Sequence, residues 1–232
     1  WAPGDWAYNS GKTKTAGVVV KPLRWLSLHT NTSDSFQPSS PAVDLHLQKV
    51  PDPTGKGRDY GFGLNLLDGK LVVRVTRYDT KQFNARDSQS TTLATRARGL
   101  DFDTSNRAQT PFNLVPLATT WVTNAARVKG QTLTQDQINS QVATLTGLDP
   151  SYLANLNPTL AEVDNVRSKG TEFELNYNPT NFWTAKLNLT EQESSTSAIA
   201  PGLTGWVAER LTVWQKIIDP ELNVPWFTNR YG

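Results

Sequence analysis

Strict period-two alternation is the feature that most constrains this chain. Residues 172–178 set Phe173, Leu175 and Tyr177 against Glu172, Glu174 and Asn176. After a Pro179-Thr180-Asn181 connection, residues 182–190 set Trp183, Ala185, Leu187 and Leu189 against Thr184, Lys186, Asn188 and Thr190. Such a pattern describes two strands, each with one apolar and one polar face, joined as a hairpin. A second pair follows the same logic. Tyr60, Phe62, Leu64 and Leu66 share one face, as do Leu71, Val73 and Val75, while Gly61, Gly63, Asn65, Arg74 and Thr76 take the other. Asp68-Gly69 stands between the two runs, the strongest short hairpin signal. A third pair runs through residues 16–21 and 25–31 around Pro22-Leu23-Arg24. The expected hairpins therefore occupy about 16–32, 58–79 and 170–191.

The segments between them read as long, polar and irregular: about 34–57, 82–168 and 193–232. The middle one is too long for a plain loop and needs its own structure or function. Thr134-x-x-Gln137 has the capping-box form, Ile138, Val142 and Leu145 follow at helical spacing, and Gly147 ends the run, so a helix is expected at about 134–146. A second short helix starts at Asp149-Pro150, and residues 203–219 keep a helical period up to Pro220. Short turns on one side of a sheet and long loops on the other is the asymmetry of outer-membrane barrels.

Composition removes other classes. Cys is 0, which excludes disulfide scaffolds, thiolate zinc sites and thiol catalysis, and His is only 2. Lys plus Arg (23) nearly cancels Asp plus Glu (21), so no basic nucleic-acid footprint exists. No apolar run reaches the ~18 residues of a spanning helix, which leaves barrels untouched because their strands alternate. Met is 0 and the chain begins at Trp1, which reads as a fragment of a longer protein.

Four stretches carry a family resemblance. Residues 17–28, GVVVKPLRWLSL, resemble a barrel hairpin "G-x-V-Y-K-P-x-x-W-L-S-L", and 31–38 follow as "Y-S-x-S-F-x-P". Residues 55–71 are similar to "G-K-x-x-E-x-G-L-K-x-x-L-L-D-G-R-L", with Asp59 where Glu is usual, and Tyr78-Asp79 comes after. Residues 168–175, SKGTEFEL, are similar to "S-K-G-x-E-x-E-L". In this order the pieces resemble TonB-dependent outer-membrane receptors of the siderophore type. The resemblance implies a mainly β chain of about six antiparallel strands, part of a large transmembrane barrel without its plug domain. Six strands cannot close, since the smallest such barrels have about 8 and plugged transporters about 22.

It further implies an outer-membrane location, contact with lipid, energy coupling to the TonB system through the absent plug, and import of a small-molecule ligand such as a ferric siderophore. The lipid-facing set is then Tyr60, Phe62, Leu64, Leu66, Leu71, Val73, Val75, Phe173, Leu175, Tyr177, Trp183, Ala185, Leu187 and Leu189. The lumen-facing set is Asn65, Arg74, Thr76, Glu172, Glu174, Asn176, Thr184, Lys186 and Asn188. Trp25, Phe182, Trp183, Tyr60 and Tyr177 read as an interfacial aromatic girdle or, in a soluble sandwich, as core and rim.

No chemistry is expected. His29 lies on a polar strand face, and His46 has no triad partners at suitable spacing. Glu172 and Glu174 resemble a catalytic carboxylate pair, against the plainer reading of lumen charges beside Lys186. Asp101-Phe102-Asp103 lacks the ligand ladder of a cation loop. Neither a cofactor nor a metal site is assigned, and no nucleic-acid partner. The alternative reading is a soluble all-β carbohydrate- or surface-binding module, whose apolar faces would meet each other instead of lipid.

Overall fold

A computed structural model of the chain describes residues 8–102 and 113–231, which fall into two compact units. The first lies within Trp1–Ser40, Pro51–Arg86 and Asp164–Ile199. It is a single sheet of β1 (Thr15–Leu23), β2 (Leu26–Phe36), β3 (Thr54–Leu66), β4 (Leu71–Asp87), β5 (Glu162–Thr180) and β6 (Trp183–Ser197). The strands neighbour one another in chain order, and the sheet is open, with β1 and β6 at its edges. Every position of both edge strands is exposed.

Turn chemistry sets the registers. Asp68 and Gly69 both have positive φ (54° and 88°), and the Lys70 N–H donates to the Leu67 carbonyl at 3.1 Å. That is the primed turn whose twist suits two antiparallel strands. It places Leu66 opposite Leu71, Leu64 opposite Val73 and Phe62 opposite Val75. In the last hairpin Phe173 faces Leu189, Leu175 faces Leu187 and Tyr177 faces Ala185. Directly opposed residues share a face, so each apolar set becomes one continuous surface. All three short turns lie at the same ends of the strands, and the long connections leave from the other ends.

The strands run further than the alternation suggests. Residues 82–87 and 162–168, expected in the long insertion, belong to β4 and β5, where Gln82 pairs with Gly55 and Asn165 with Ser197. The insertion proper is 88–161. Apolar residues are sparse in these extensions: Phe83 and Ala85 stand between Lys81 and Asp87 on one face, and Val163 and Val166 alternate out of step, so no sustained hydrophobic period marks them.

The second unit, within Pro41–Val50, Asp87–Val163 and Ala200–Gly232, is built from those connections. They are not irregular. They form α1 (Ser88–Arg98), α2 (Leu114–Val128), α3 (Gln135–Thr146), α4 (Pro150–Ala154), α5 (Pro201–Trp214) and α6 (Trp226–Tyr231), with a two-stranded ribbon of β7 (Ile218–Asp219) and β8 (Val224–Pro225). The capping box of α3 is present, with Thr134 accepting from Gln137 and the Gln137 side chain returning to Thr134. Gly147 closes α3 in the left-handed region (φ 65°), and a Cβ there would stand 3.1 Å from Val213. Helix α5 stops at Trp214, short of Pro220, because the chain turns into β7.

One cluster packs Leu114, Ala118, Trp121, Val122, Val142, Trp214, Ile217 and Trp226; another packs Leu45, Ala94, Phe102, Leu148, Tyr152 and Trp206. Among the described residues every buried hydrophobic side chain belongs to this unit.

Candidate functional site

The sheet inverts the usual exposure rule. On β2 and β3 the polar face, with Ser27, His29, Asn31, Gly61 and Gly63, is half-buried, whereas Leu28, Tyr60 and Phe62 opposite it are exposed. Tyr60 is 56% exposed, and Trp183 and Leu189 on β6 are 47% and 56% exposed. A contiguous apolar surface left uncovered by the chain's own protein is a mark of an interaction surface. The geometry brings the apolar residues named from sequence onto shared strand faces, and Leu26 and Leu28 join them opposite Leu64 and Phe62.

The polar set is likewise placed together, with one change of partner. Glu174 reaches Arg74 at 3.7 Å across β4 and β5. Lys186, expected beside the two glutamates, stands opposite Asn176, while Glu172 and Glu174 stand opposite Thr190 and Asn188. The Thr184 hydroxyl donates to Asn178 at 2.7 Å. Thr76 is opposite Gly61 and within 3.4 Å of His29 Nε2; Asn65 is opposite Val72. A Cβ at Gly61 would stand 1.9 Å from the Val75 carbonyl oxygen, so this close approach admits only glycine.

The apolar face changes character at one level along its length. On β3, Tyr60–Leu66 is followed toward the long connections by Arg58 and Lys56; on β4, Val75 by Arg77, Asp79 and Lys81; on β5, Phe173 by Thr171, Lys169 and Arg167. Aromatic groups bracket the apolar stretch. Tyr60 stands at the charged boundary, and Tyr177 and Trp183 pack edge-to-face at 5.8 Å beside the last turn. Phe182 lies in that turn and is exposed, as is Trp25 in the first.

Above the boundary a groove of about 990 Å³ opens, lined by Val18, Tyr60, Arg58, Arg77, Arg167 and Lys169 among others. Arg167 grips Asp79 with two bonds, 2.9 and 2.6 Å. Sequence reading missed this basic cluster because its members come from three strands remote in the chain. The signal available was the interruption of the apolar alternation by Arg or Lys on β3, β4 and β5, at Arg58, Arg77 and Lys169.

The remaining candidates have structural roles. His46 Nε2 lies 3.3 Å from Glu209 and its ring packs edge-on to Trp206. Asp101 is fully buried and bound by the Arg210 fork at 2.6 and 2.8 Å and by the Trp214 indole N–H at 2.9 Å. Burial pushes its carboxyl up, and Arg210, Trp214 and Arg98 act against that. Asp103 lies outside the described residues. Among the described residues no three metal-binding side chains come together, and no helix is long and apolar enough to cross a membrane.

No protein-family model matches the chain, and no curated protein does. Solved structures similar to it include the alcaligin outer-membrane receptor FauA from Bordetella pertussis, at 13% identity over 81% of this chain, with TM-score 0.44. The ferripyoverdine receptor of the Pseudomonas aeruginosa outer membrane, bound to ferripyoverdine, is similar at 13% identity over 82% of this chain, with TM-score 0.47. The chain spans 23% of the first of these structures and 18% of the second.

Proposed function

We propose that this chain forms part of the wall and the external structure of a TonB-dependent outer-membrane receptor that imports a scarce ligand such as a ferric siderophore. The observation that carries the reading is the exposed apolar band, bounded by aromatics and then by charge at one level, on a sheet with no buried hydrophobic side chain of its own. Crossing a bilayer takes about 9–11 tilted strand residues, and the six strands have 9, 11, 13, 17, 19 and 15. In water this band is a liability; in lipid it is the required surface. The exposed backbone edges of β1 and β6 need adjoining strands, which a closed barrel supplies.

The ordered motifs at residues 17–38, 55–79 and 168–175 support the same family. On this reading Tyr60, Phe62, Leu64, Leu66, Leu71, Val73 and Val75 meet lipid, together with Phe173, Leu175, Tyr177, Trp183, Ala185, Leu187 and Leu189. Asn65, Arg74, Thr76, Glu172, Glu174, Asn176, Thr184, Lys186 and Asn188 line the lumen. The helical unit stands on the extracellular side, where it gates or binds ligand, and TonB coupling runs through a plug outside these residues. The sandwich alternative requires a second sheet over Phe62 and Leu187. The described residues contain none beyond the two-residue β7 and β8.

Replacing residues 88–161 by a short Gly/Ser linker in the intact receptor tests the assignment of roles. Binding of an iron-loaded siderophore should be abolished or sharply weakened, while the barrel keeps its heat-modifiable migration on a gel. Unchanged uptake would contradict a ligand-binding role for the helical unit.

A further inference from the structure

We propose that the neighbouring turns at 67–70 and 179–182 form a binding cleft for N-acetylated sugars, a site that holds whichever solvent the apolar band meets. A cleft of about 550 Å³ opens between them, lined by Asp68, Lys70, Asn178, Thr180, Asn181 and Phe182 among others. Its walls are tied together, because the Asn178 N–H donates to the Lys70 carbonyl at 2.7 Å, from one hairpin to the next. Asp68 and Gly69 are fixed in the left-handed region by their turn. The backbone therefore sets the shape of the cleft before any ligand arrives, as in most small-molecule sites.

The lining has the chemistry that a sugar needs. Phe182 is 86% exposed, so its ring is offered outward and serves no core. An aromatic face carries negative charge density, and the polarised C–H groups on one side of a pyranose ring suit it. Asp68, Lys70 and Asn181 make no side-chain ion pair among the described residues. The Asn178 amide oxygen accepts from the Thr184 hydroxyl at 2.7 Å, which leaves its NH2 group to donate. Asn181 offers both a carbonyl and an NH2 group, the pair that an acetamido group matches with its own N–H and C=O. One carboxylate and one ammonium cancel, so the cleft holds no net attraction for a phosphate or a carboxylate.

The test uses the intact protein in a detergent without a sugar headgroup, with chitotriose as the probe and binding followed by saturation-transfer NMR and titration. The wild type should bind chitotriose, and bind maltotriose, which lacks the acetamido groups, several-fold more weakly. F182A should weaken chitotriose binding about tenfold, the worth of one ring contact, while F182W keeps a ring and stays within about threefold of wild type. N181A should weaken it about fivefold. L67A removes another exposed apolar side chain of the same turns, outside the cleft lining, and should change nothing. Isolated cell-wall sacculi, which carry the same sugars as a polymer, should sediment the wild type and not F182A. Chitotriose binding without sedimentation would assign the cleft to free oligosaccharides.

Phe182 belongs to neither hydrophobic cluster, so F182A leaves the fold intact and heat-modifiable migration unchanged. No binding of chitotriose, equal binding of maltotriose, undiminished binding by F182A, or the same loss from L67A as from F182A would each overturn the proposal.

Discussion

Replacing Asp101 with Ala should destabilise the helical unit by about 3–5 kcal/mol, the cost of removing one partner from a buried ion pair. Arg210 and Asp101 are 5% and 0% exposed, so no water takes the carboxylate's place. The Arg210 guanidinium would keep its bond to the Thr146 carbonyl, 2.9 Å, but lose both bonds to Asp101, and the Trp214 indole N–H would lose its acceptor. Trp214 belongs to one hydrophobic cluster and Phe102, next to Asp101, to the other, so the damage reaches both.

Denaturant unfolding followed by tryptophan fluorescence reports it, because Trp121, Trp206, Trp214 and Trp226 are all buried in this unit. The double change Asp101→Leu with Arg210→Met removes both charges and should recover much of the loss. A single variant within about 1 kcal/mol of wild type would show that Arg210 finds compensation elsewhere.

Arg at Leu187 should cost roughly 2–4 kcal/mol if the site lies near the bilayer midplane. Leu187 stands opposite Leu175, with the Phe173–Leu189 pair next along the same face. Its neighbour Lys186 points the other way, opposite Asn176, so Lys186→Glu should change stability little. The contrast between adjacent residues is the informative quantity, since a strand's two faces meet different solvents only if one of them meets lipid. Refolding of the intact protein into lipid vesicles under denaturant measures both, and equal damage from the two changes would remove the assigned orientation.

The parts of the molecule legible in sequence are those where a local rule acts alone. Asp68-Gly69 demanded a primed turn, and the Thr134–Gln137 box with Gly147 delimited α3 to within a residue. The strand faces were readable wherever one side is apolar, as at Phe173, Leu175 and Tyr177. Legibility failed where contrast failed. The outer halves of β4 and β5 carry polar residues on both faces around a few apolar ones such as Phe83 and Val166, so a period-two search finds no run long enough to separate them from loop.

Helix α1, SQSTTLATRAR, is rich in Ser and Thr and buries only Ser90, Ala94 and Arg98. Its place depends on the Asp87 cap and on Arg98, which donates to the Asn155 and Leu156 carbonyls. Helix α2 did carry a signal, Leu114, Ala118, Trp121 and Val122 at helical spacing. The groove's local signal was limited to the interruption of the apolar alternation by Arg or Lys: Arg58, Arg77 and Arg167 meet only because their three strands lie side by side in the sheet.

The assignment of the two strand faces is tested most directly by thiol labelling in native membranes. The chain has no cysteine, so a thiol introduced at Leu64, Leu187, Thr76 or Lys186 is unique within it. In the intact protein, thiols at Leu64 and Leu187 should resist a water-soluble maleimide and react with a membrane-soluble one, while those at Thr76 and Lys186 show the reverse preference. Thiols at Leu64 and Leu187 that react with the water-soluble reagent as fast as one at the exposed Val128 would contradict a lipid-facing band and return the chain to the soluble alternative.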